Sequence, residues 1–295
     1  MNFKDTYKEE KLIDMHMHSC YSDGELTPDE LIHLAVKRNI GTMAITDHNT
    51  LNGIKKVDRN KPIVLDSGIN IINGIELSAK VERGTMHILG YNMHIEDTNL
   101  NNKLNDFRIN NLNYFMNMIS QVINDHKLYF EYEDILALID SNRNIGRPDI
   151  AKLCMKYGYS TNVQDAFDKY LISSYEKIRH LNKLFFKEEC IDMILNSGGI
   201  PVLAHPKTLK LSRWELIKVI EELTSYGLKG IEVYHSSHSK EETILYLEIA
   251  KKYNLLISGG SDYHGINIKP DIEIGTGKNN NLKIKKLSLV DYIKR

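Results

Sequence analysis

Leu12-Ile13-Asp14-Met15-His16-Met17-His18 is an apolar run that ends in two histidines. His16 and His18 stand at i, i+2, so in an extended strand both imidazoles face the same side. A lone buried histidine is ordinarily structural. Two on one face, preceded by Asp14 and followed by Asp23, carry the residue types of a metal site. The same grammar recurs six more times: Thr42 to His48, Ile69 to Glu76, Thr85 to His87, Ile200 to His205, Gly230 to His235 and Leu255 to His264. Each reads as a buried strand whose last residues supply His, Asp or Glu. In a barrel of parallel strands the C-terminal ends share one mouth. Residues about 250 positions apart are thereby expected to meet in a multinuclear metal site.

Helical patterns separate these runs. After His18, Thr27-Pro28-Asp29-Glu30 reads as a capping box, with Thr27 as N-cap, Pro28 at the first helical position and Glu30 three residues on. Ser212 to Glu215 and Ser239 to Glu242 repeat the device. Strand, ligand loop, helix, strand is βα repetition and implies a parallel sheet or barrel. The alternation fails between about Asn99 and Leu184, where helical spacing dominates: Leu104 to Lys127, Tyr132–Ile139, Pro148–Tyr157 and Val163–Tyr170. Residues 100–184 therefore read as a helical insertion overhanging the mouth, with 1–99 and 185–295 forming the barrel. From Ser141 to Phe185 eight Lys/Arg face four acids, a balance that suits an anionic substrate. Beyond His264 the chain turns polar, and Gly275 to Lys278 reads as a terminal hairpin, since it lacks the spacing of a phosphate-binding P-loop.

The 295 residues are 42% hydrophobic and carry a net charge of −1. That composition allows a large core and supplies no global field for nucleic acid or membrane, so anion binding must be local. Cys20, Cys154 and Cys190 are odd in number and without CxxC spacing, which fits a reducing cytoplasm. Cys20 reads as a small buried residue more than as a ligand. Met1 to Lys11 is polar, unlike a signal peptide, and no apolar stretch approaches a membrane span.

Taken in order, HxH…D, TDH, GxE, MH, AHP and SDYH resemble the polymerase and histidinol phosphatase (PHP) family, and the resemblance covers nearly the whole chain. It implies a distorted (β/α)7 TIM-like barrel with two to three divalent metals at its mouth. By motif, one metal takes His16, His18, Glu76 and Asp262. A second shares Glu76 and adds His87 and His205; a third takes Asp23, His48 and His264. Imidazole and carboxylate without thiolate fit Mn first, with Fe or Zn as alternatives, and argue against Ca. Asp14 and Asp47 are expected to orient neighbouring histidine rings.

Asn144 to Ala151 is similar to the GRPHxA signature of PHP proteins resembling nucleoside 3′,5′-bisphosphate phosphatases, a group that also trims short RNAs from the 5′ end. Arg147 would bind a substrate phosphate through its planar fork. Asp149 stands where the family commonly has His. The implied activity is phosphate ester hydrolysis by a metal-bridging hydroxide, with His16, His18, Glu76 and His235 in catalytic roles. His235, His238 and Arg179 are expected to add substrate contacts. The expected partner is a small phosphorylated substrate or short single-stranded RNA, with no membrane and no obligate protein partner. The rivals are a histidinol-phosphate phosphatase and a metal-dependent nucleic-acid-binding module without turnover.

Overall fold

The computed structural model describes residues 10–139 and 143–295. Most of the N-terminal segment read above as unlike a signal peptide, residues 1–9, and the start of the basic stretch at Ser141 lie outside them. Seven strands, β1 (Leu12–Asp14), β2 (Ile40–Ile45), β3 (Asn70–Ala79), β4 (Met86–Tyr91), β5 (Ile200–Leu203), β6 (Gly230–His235) and β7 (Leu256–Gly260), form one sheet in chain order. The sheet is nearly closed into a barrel. Met15 N–H donates to the Gly259 carbonyl at 3.1 Å, and Met17 bridges Tyr263 in parallel.

Not every strand runs the same way. β3–β4 and β4–β5 pair antiparallel, whereas β1–β2, β2–β3, β5–β6 and β6–β7 pair parallel. The run Thr85-Met86-His87 is therefore the beginning of a strand and not its end. The six residues separating β3 from β4 are too few for a parallel crossover, which needs a dozen or more. β4 returns alongside β3 and starts at the same mouth, so His87 still arrives there. β3 likewise runs past Glu76 to Ala79.

Side chains alternate between the two faces of the barrel wall. Met15, Ala44, Ile72, Leu89, Tyr91 and Val202 pack together inside. Tyr91 is fully buried and its hydroxyl donates to the Met15 carbonyl at 2.9 Å. Leu282, Ile284, Leu287, Leu289 and Val290 complete this inner cluster. They attach at the strand starts, where Ile13 N–H donates to the Ile284 carbonyl at 2.7 Å. The other face of the wall, with Met43, Ile45, Ile75, Leu77, Ile231 and Val233, packs on the surrounding helices. Those helices begin where the caps predict: the side chains of Thr27, Ser212 and Ser239 each accept from the backbone N–H three residues on, and their own N–H groups donate to the Glu carboxylate there.

Helix Thr98–His126 leaves the barrel after β4. Its first turns contribute Leu100 and Leu104 to the barrel's apolar cluster. Further along, Phe115, Met118, Ile119 and Val122 join Ile150, Cys154 and Leu171 in a separate apolar cluster. Helices Tyr132–Ile139 and Arg147–Lys156 follow, and Val163–Ala166 passes through a π-helical turn at Phe167–Leu171 into Ile172–Ile178. The expected hairpin near Gly275 is present as Ile272–Glu273 paired antiparallel with Gly277–Lys278.

Candidate metal centre and substrate cleft

Six imidazoles and three carboxylates predicted to be ligands gather at one end of the barrel. Their potential donor atoms form overlapping groups within 4.8 Å: His18, Asp23, His48 and His264; His16, Glu76 and His205; His48, Glu76 and His87. A further group joins His16, Asp262 and His235, so His235 stands among the candidate ligands as well as beside them. His18 faces both the Asp23 group and the Glu76–Asp262 pair, with its Nε2 3.2 Å from Glu76 Oε2 and 3.3 Å from Asp262 Oδ1.

Glu76 sits at the centre. Its Oε1 lies 2.8 Å from both His87 Nδ1 and His205 Nε2, and its Oε2 lies 3.2 Å from His16, His18 and His48. The two oxygens thus face two different sets of imidazoles, the geometry of a carboxylate shared between two cations. His18 Nε2, His48 Nδ1 and His235 Nε2 are buried without a hydrogen-bond partner. Buried polar atoms are ordinarily satisfied. Three imidazole nitrogens aimed at one another's acids therefore fit a divalent cation.

The charges agree. Burial would raise Glu76, but His87, His16 and His48 hold it well below the usual carboxylate range. Asp23 is treated alike by His264 and His48, and Asp262 by Lys269, His264 and His16. Burial would lower His18, yet the nearby carboxylates of Asp262, Glu76 and Asp23 bring it to about 9. Burial prevails at His264, which stays below its ordinary value.

Glu232, in mid-strand β6, is the positioning group that the sequence reading missed. It is fully buried; Oε1 lies 2.9 Å from His16 Nδ1, and Oε2 accepts the His205 backbone N–H at 2.7 Å. One carboxylate thus orients one candidate ligand's ring and another's backbone. His205 needs the help, since its φ of 22° lies in the left-handed region that side chains rarely adopt. Asp262 shares that strain at φ 57°. Its N–H donates to the His16 carbonyl at 2.8 Å, which stitches the end of β7 to β1.

Asp14 and Asp47 do not orient histidine rings, contrary to expectation. Asp14 accepts the backbone N–H groups of Ser261 at 2.8 Å and Gly275 at 2.7 Å, fastening β7 and the hairpin. Asp47 accepts from Ser19 and Ser22, fixing the loop that carries Asp23. Cys20 is partly exposed and belongs to none of the donor groups.

Above the centre opens a cleft of about 660 Å³. Glu76, His87, His205, His235 and Asp262 line its barrel side; Phe107, Arg147 and Phe167 line the helical side. Arg147 starts its helix and lies over Tyr175 at 4.3 Å and Phe167 at 5.7 Å. Lys269, unassigned from sequence, also lines the cleft and donates to Asp262 Oδ2 at 2.7 Å. Two predicted substrate residues lie outside the lining. His238 donates from Nδ1 to the Val233 carbonyl at 2.9 Å and packs on Tyr246; burial lowers it to about 4. Arg179 is spent on Glu176 and the Glu82 carbonyl, each at 3.2 Å. Asp149, which stands where the family commonly has His, is fully buried, does not line the cleft and pairs with Arg143 at 2.6 Å.

Known proteins resemble this chain in sequence and in fold. A 5′-3′ exoribonuclease Rnm from Escherichia coli is 29% identical over 254 residues, covering 86% of this chain and 85% of its own. A 3′,5′-nucleoside bisphosphate phosphatase from Chromobacterium violaceum is 28% identical over 253 residues, covering 85% and 87%. A solved structure of an amidohydrolase from Chromobacterium violaceum, with bound sulfate and no metal, superposes with a TM-score of 0.81 at 26% identity, covering 96% of this chain and 95% of that one. The PHP domain model matches residues 14–189, a span that holds the first four of the six ordered motifs: the chain belongs to the PHP domain family.

Proposed function

We propose that this protein is a metal-dependent phosphoesterase acting on nucleotides with a terminal phosphate, either 3′,5′-bisphosphates or short 5′-phosphorylated RNA. The observation that carries the reading is the convergence of Glu76 and its imidazole neighbours beneath a cleft whose opposite wall presents Arg147. His16, His18, Glu76 and Asp262 would hold one metal, Glu76, His87 and His205 a second, and Asp23, His48 and His264 a third, with Mn the first candidate and Fe or Zn next. Bound there, such ions activate water and neutralise charge on the phosphoryl oxygens. Residues 100–184 act as one helical unit overhanging the barrel.

The chain's own groups divide the remaining work. Glu232 keeps His16 facing the centre. Arg147, with no acid or carbonyl partner among the described residues, offers its donors to a substrate phosphate while the aromatic faces fix its plane. His235 is held through Nδ1 by Ser237 at 2.8 Å, leaving Nε2 toward the cleft to protonate a leaving oxygen. Lys269 adds positive charge on the same side.

The test is phosphate release from adenosine 3′,5′-bisphosphate by Mn-loaded protein, beside a 5′-phosphorylated RNA trimer followed by chromatography. Loss of the 3′ phosphate with an intact trimer identifies a mononucleotide phosphatase. Stepwise mononucleotides identify a 5′→3′ exonuclease. Inertness toward both refutes the reading and moves histidinol phosphate to the front.

A further inference from the structure

Arg143 and Asp149 bracket a loop that touches both halves of the cleft. Asp149 Oδ1 pairs with Arg143 at 2.6 Å, and its Oδ2 accepts the Gly146 N–H at 2.8 Å, closing the loop on itself at the start of the Arg147 helix. The loop then reaches across to the barrel. Arg143 donates to the Ser22 carbonyl at 3.0 Å, one residue before Asp23. Asn144 donates through its amide to the carbonyls of His48 at 2.7 Å and Asn49 at 2.9 Å, and through its backbone to Tyr21 at 3.2 Å. Asn111, on the long helix, secures the Ile145 carbonyl at 2.6 Å. Within seven residues the chain thus holds the backbones beside two candidate ligands, Asp23 and His48, and presents Arg147 to the cleft.

We infer that the Arg143–Asp149 pair is a positioning device linking cation occupancy of the Asp23–His48–His264 group to phosphate capture by Arg147. The link is mechanical. The backbone on either side of the pair is shared between the two subsites, so the loop cannot shift to serve one without displacing the other. Ordering the Asp23 and His48 loops around a cation holds the loop in the position from which Arg147 meets phosphate. A phosphate on Arg147 in turn favours the cation, since coupling between two binding events is reciprocal. This also gives Asp149 a role where a His is common in the family: a carboxylate can hold the Arg143 guanidinium and the Gly146 N–H together, and a single imidazole cannot. The inference rests on the metal-dependent reading above, and its test separates the two.

The experiment is calorimetric Mn titration of the full chain, with and without adenosine 5′-monophosphate as the phosphate probe. Asp23→Asn first identifies which class of Mn sites contains Asp23. Asp149→Asn keeps the volume and an acceptor for Gly146 but loses the charge facing Arg143; Arg143→Gln loses the other partner. Each is expected to weaken the Asp23 class on the order of tenfold, as outer partners of metal ligands do, and to leave the other sites unchanged. The wild type should bind Mn more tightly at that class when adenosine 5′-monophosphate is present, and each variant should abolish this tightening. Wild-type affinities and nucleotide response in both variants overturn the inference. So does equal weakening of all sites with a lowered melting temperature, which marks a merely structural pair. A wild-type protein that binds no Mn overturns the reading beneath it as well.

Discussion

Glu76, His16 and Glu232 on the barrel side are fully buried, and each is within hydrogen-bonding reach of two or more partners. Among the described residues, Arg147 on the helical side meets aromatic faces, Tyr175 and Phe167, and no acid or carbonyl partner. The floor of the cleft is therefore over-determined, which lets it keep His205 and Asp262 in strained left-handed backbone conformations. The two rings that hold Arg147 belong to an apolar cluster distinct from the barrel's. Such a division lets the side chains around Arg147 select which phosphate-bearing molecule enters, while the Arg143–Asp149 loop ties that wall to the centre below.

Substitutions can break or sharpen that contrast. Glu76→Gln should have the largest effect: activity below about one-hundredth of wild type, together with a reduced Mn stoichiometry, because it exceeds the 10–100-fold loss usual for outer partners. Near-normal turnover in metal-replete Glu76→Gln would remove the centre from the mechanism. Glu232→Gln should cost roughly 10–100-fold in metal affinity or activity, since His16 and His205 both depend on it. Metal titration unchanged from wild type would reduce Glu232 to packing.

On the wall, Arg147→Ala should raise KM about tenfold or more with kcat largely kept, the mark of lost binding to a charged group. A fall in kcat at constant KM would place Arg147 in the chemical step instead. Tyr175→Leu is the mildest test. Losing about 0.5–1 kcal/mol of cation–π attraction predicts a KM increase of roughly two- to fivefold. An effect as large as that of Arg147→Ala would mean that the ring positions the arginine outright.

Most of the candidate ligands were readable because they end or begin an apolar run, where a polar residue has few structural uses; Asp23, in the loop after His18, came from the family resemblance. Strand direction was not readable: Met86-His87-Ile88 looks the same to a periodicity argument whether it leaves the mouth or enters it, and only the short link from β3 decides. Glu232 did leave a signal, a charge inside Ile231-Glu232-Val233, where a buried acid demands a partner. The expectation stopped at His235, three residues later, and missed it. Asp14 and Asp47 were misjudged for another reason. Spacing shows that they lie near the histidines, but not that their oxygens turn toward backbone N–H groups and serine hydroxyls. Lys269 stands between two short alternating pairs, Ile266/Ile268 and Ile272/Ile274, and nothing in that pattern distinguishes it from a solvated lysine.

The closure of β7 onto β1 has a consequence in time. His16 leaves the ribosome 248 residues before His264. At the usual 5–20 residues per second, that is an interval of roughly 12–50 s. Throughout it the first histidine pair lacks Asp262 and His264, and the strand that seals the barrel has yet to be made. A nascent chain that already holds the other seven candidate ligands still lacks Asp262, His264 and the barrel's closure, so the centre cannot assemble before β7 and the segment to His264 are made.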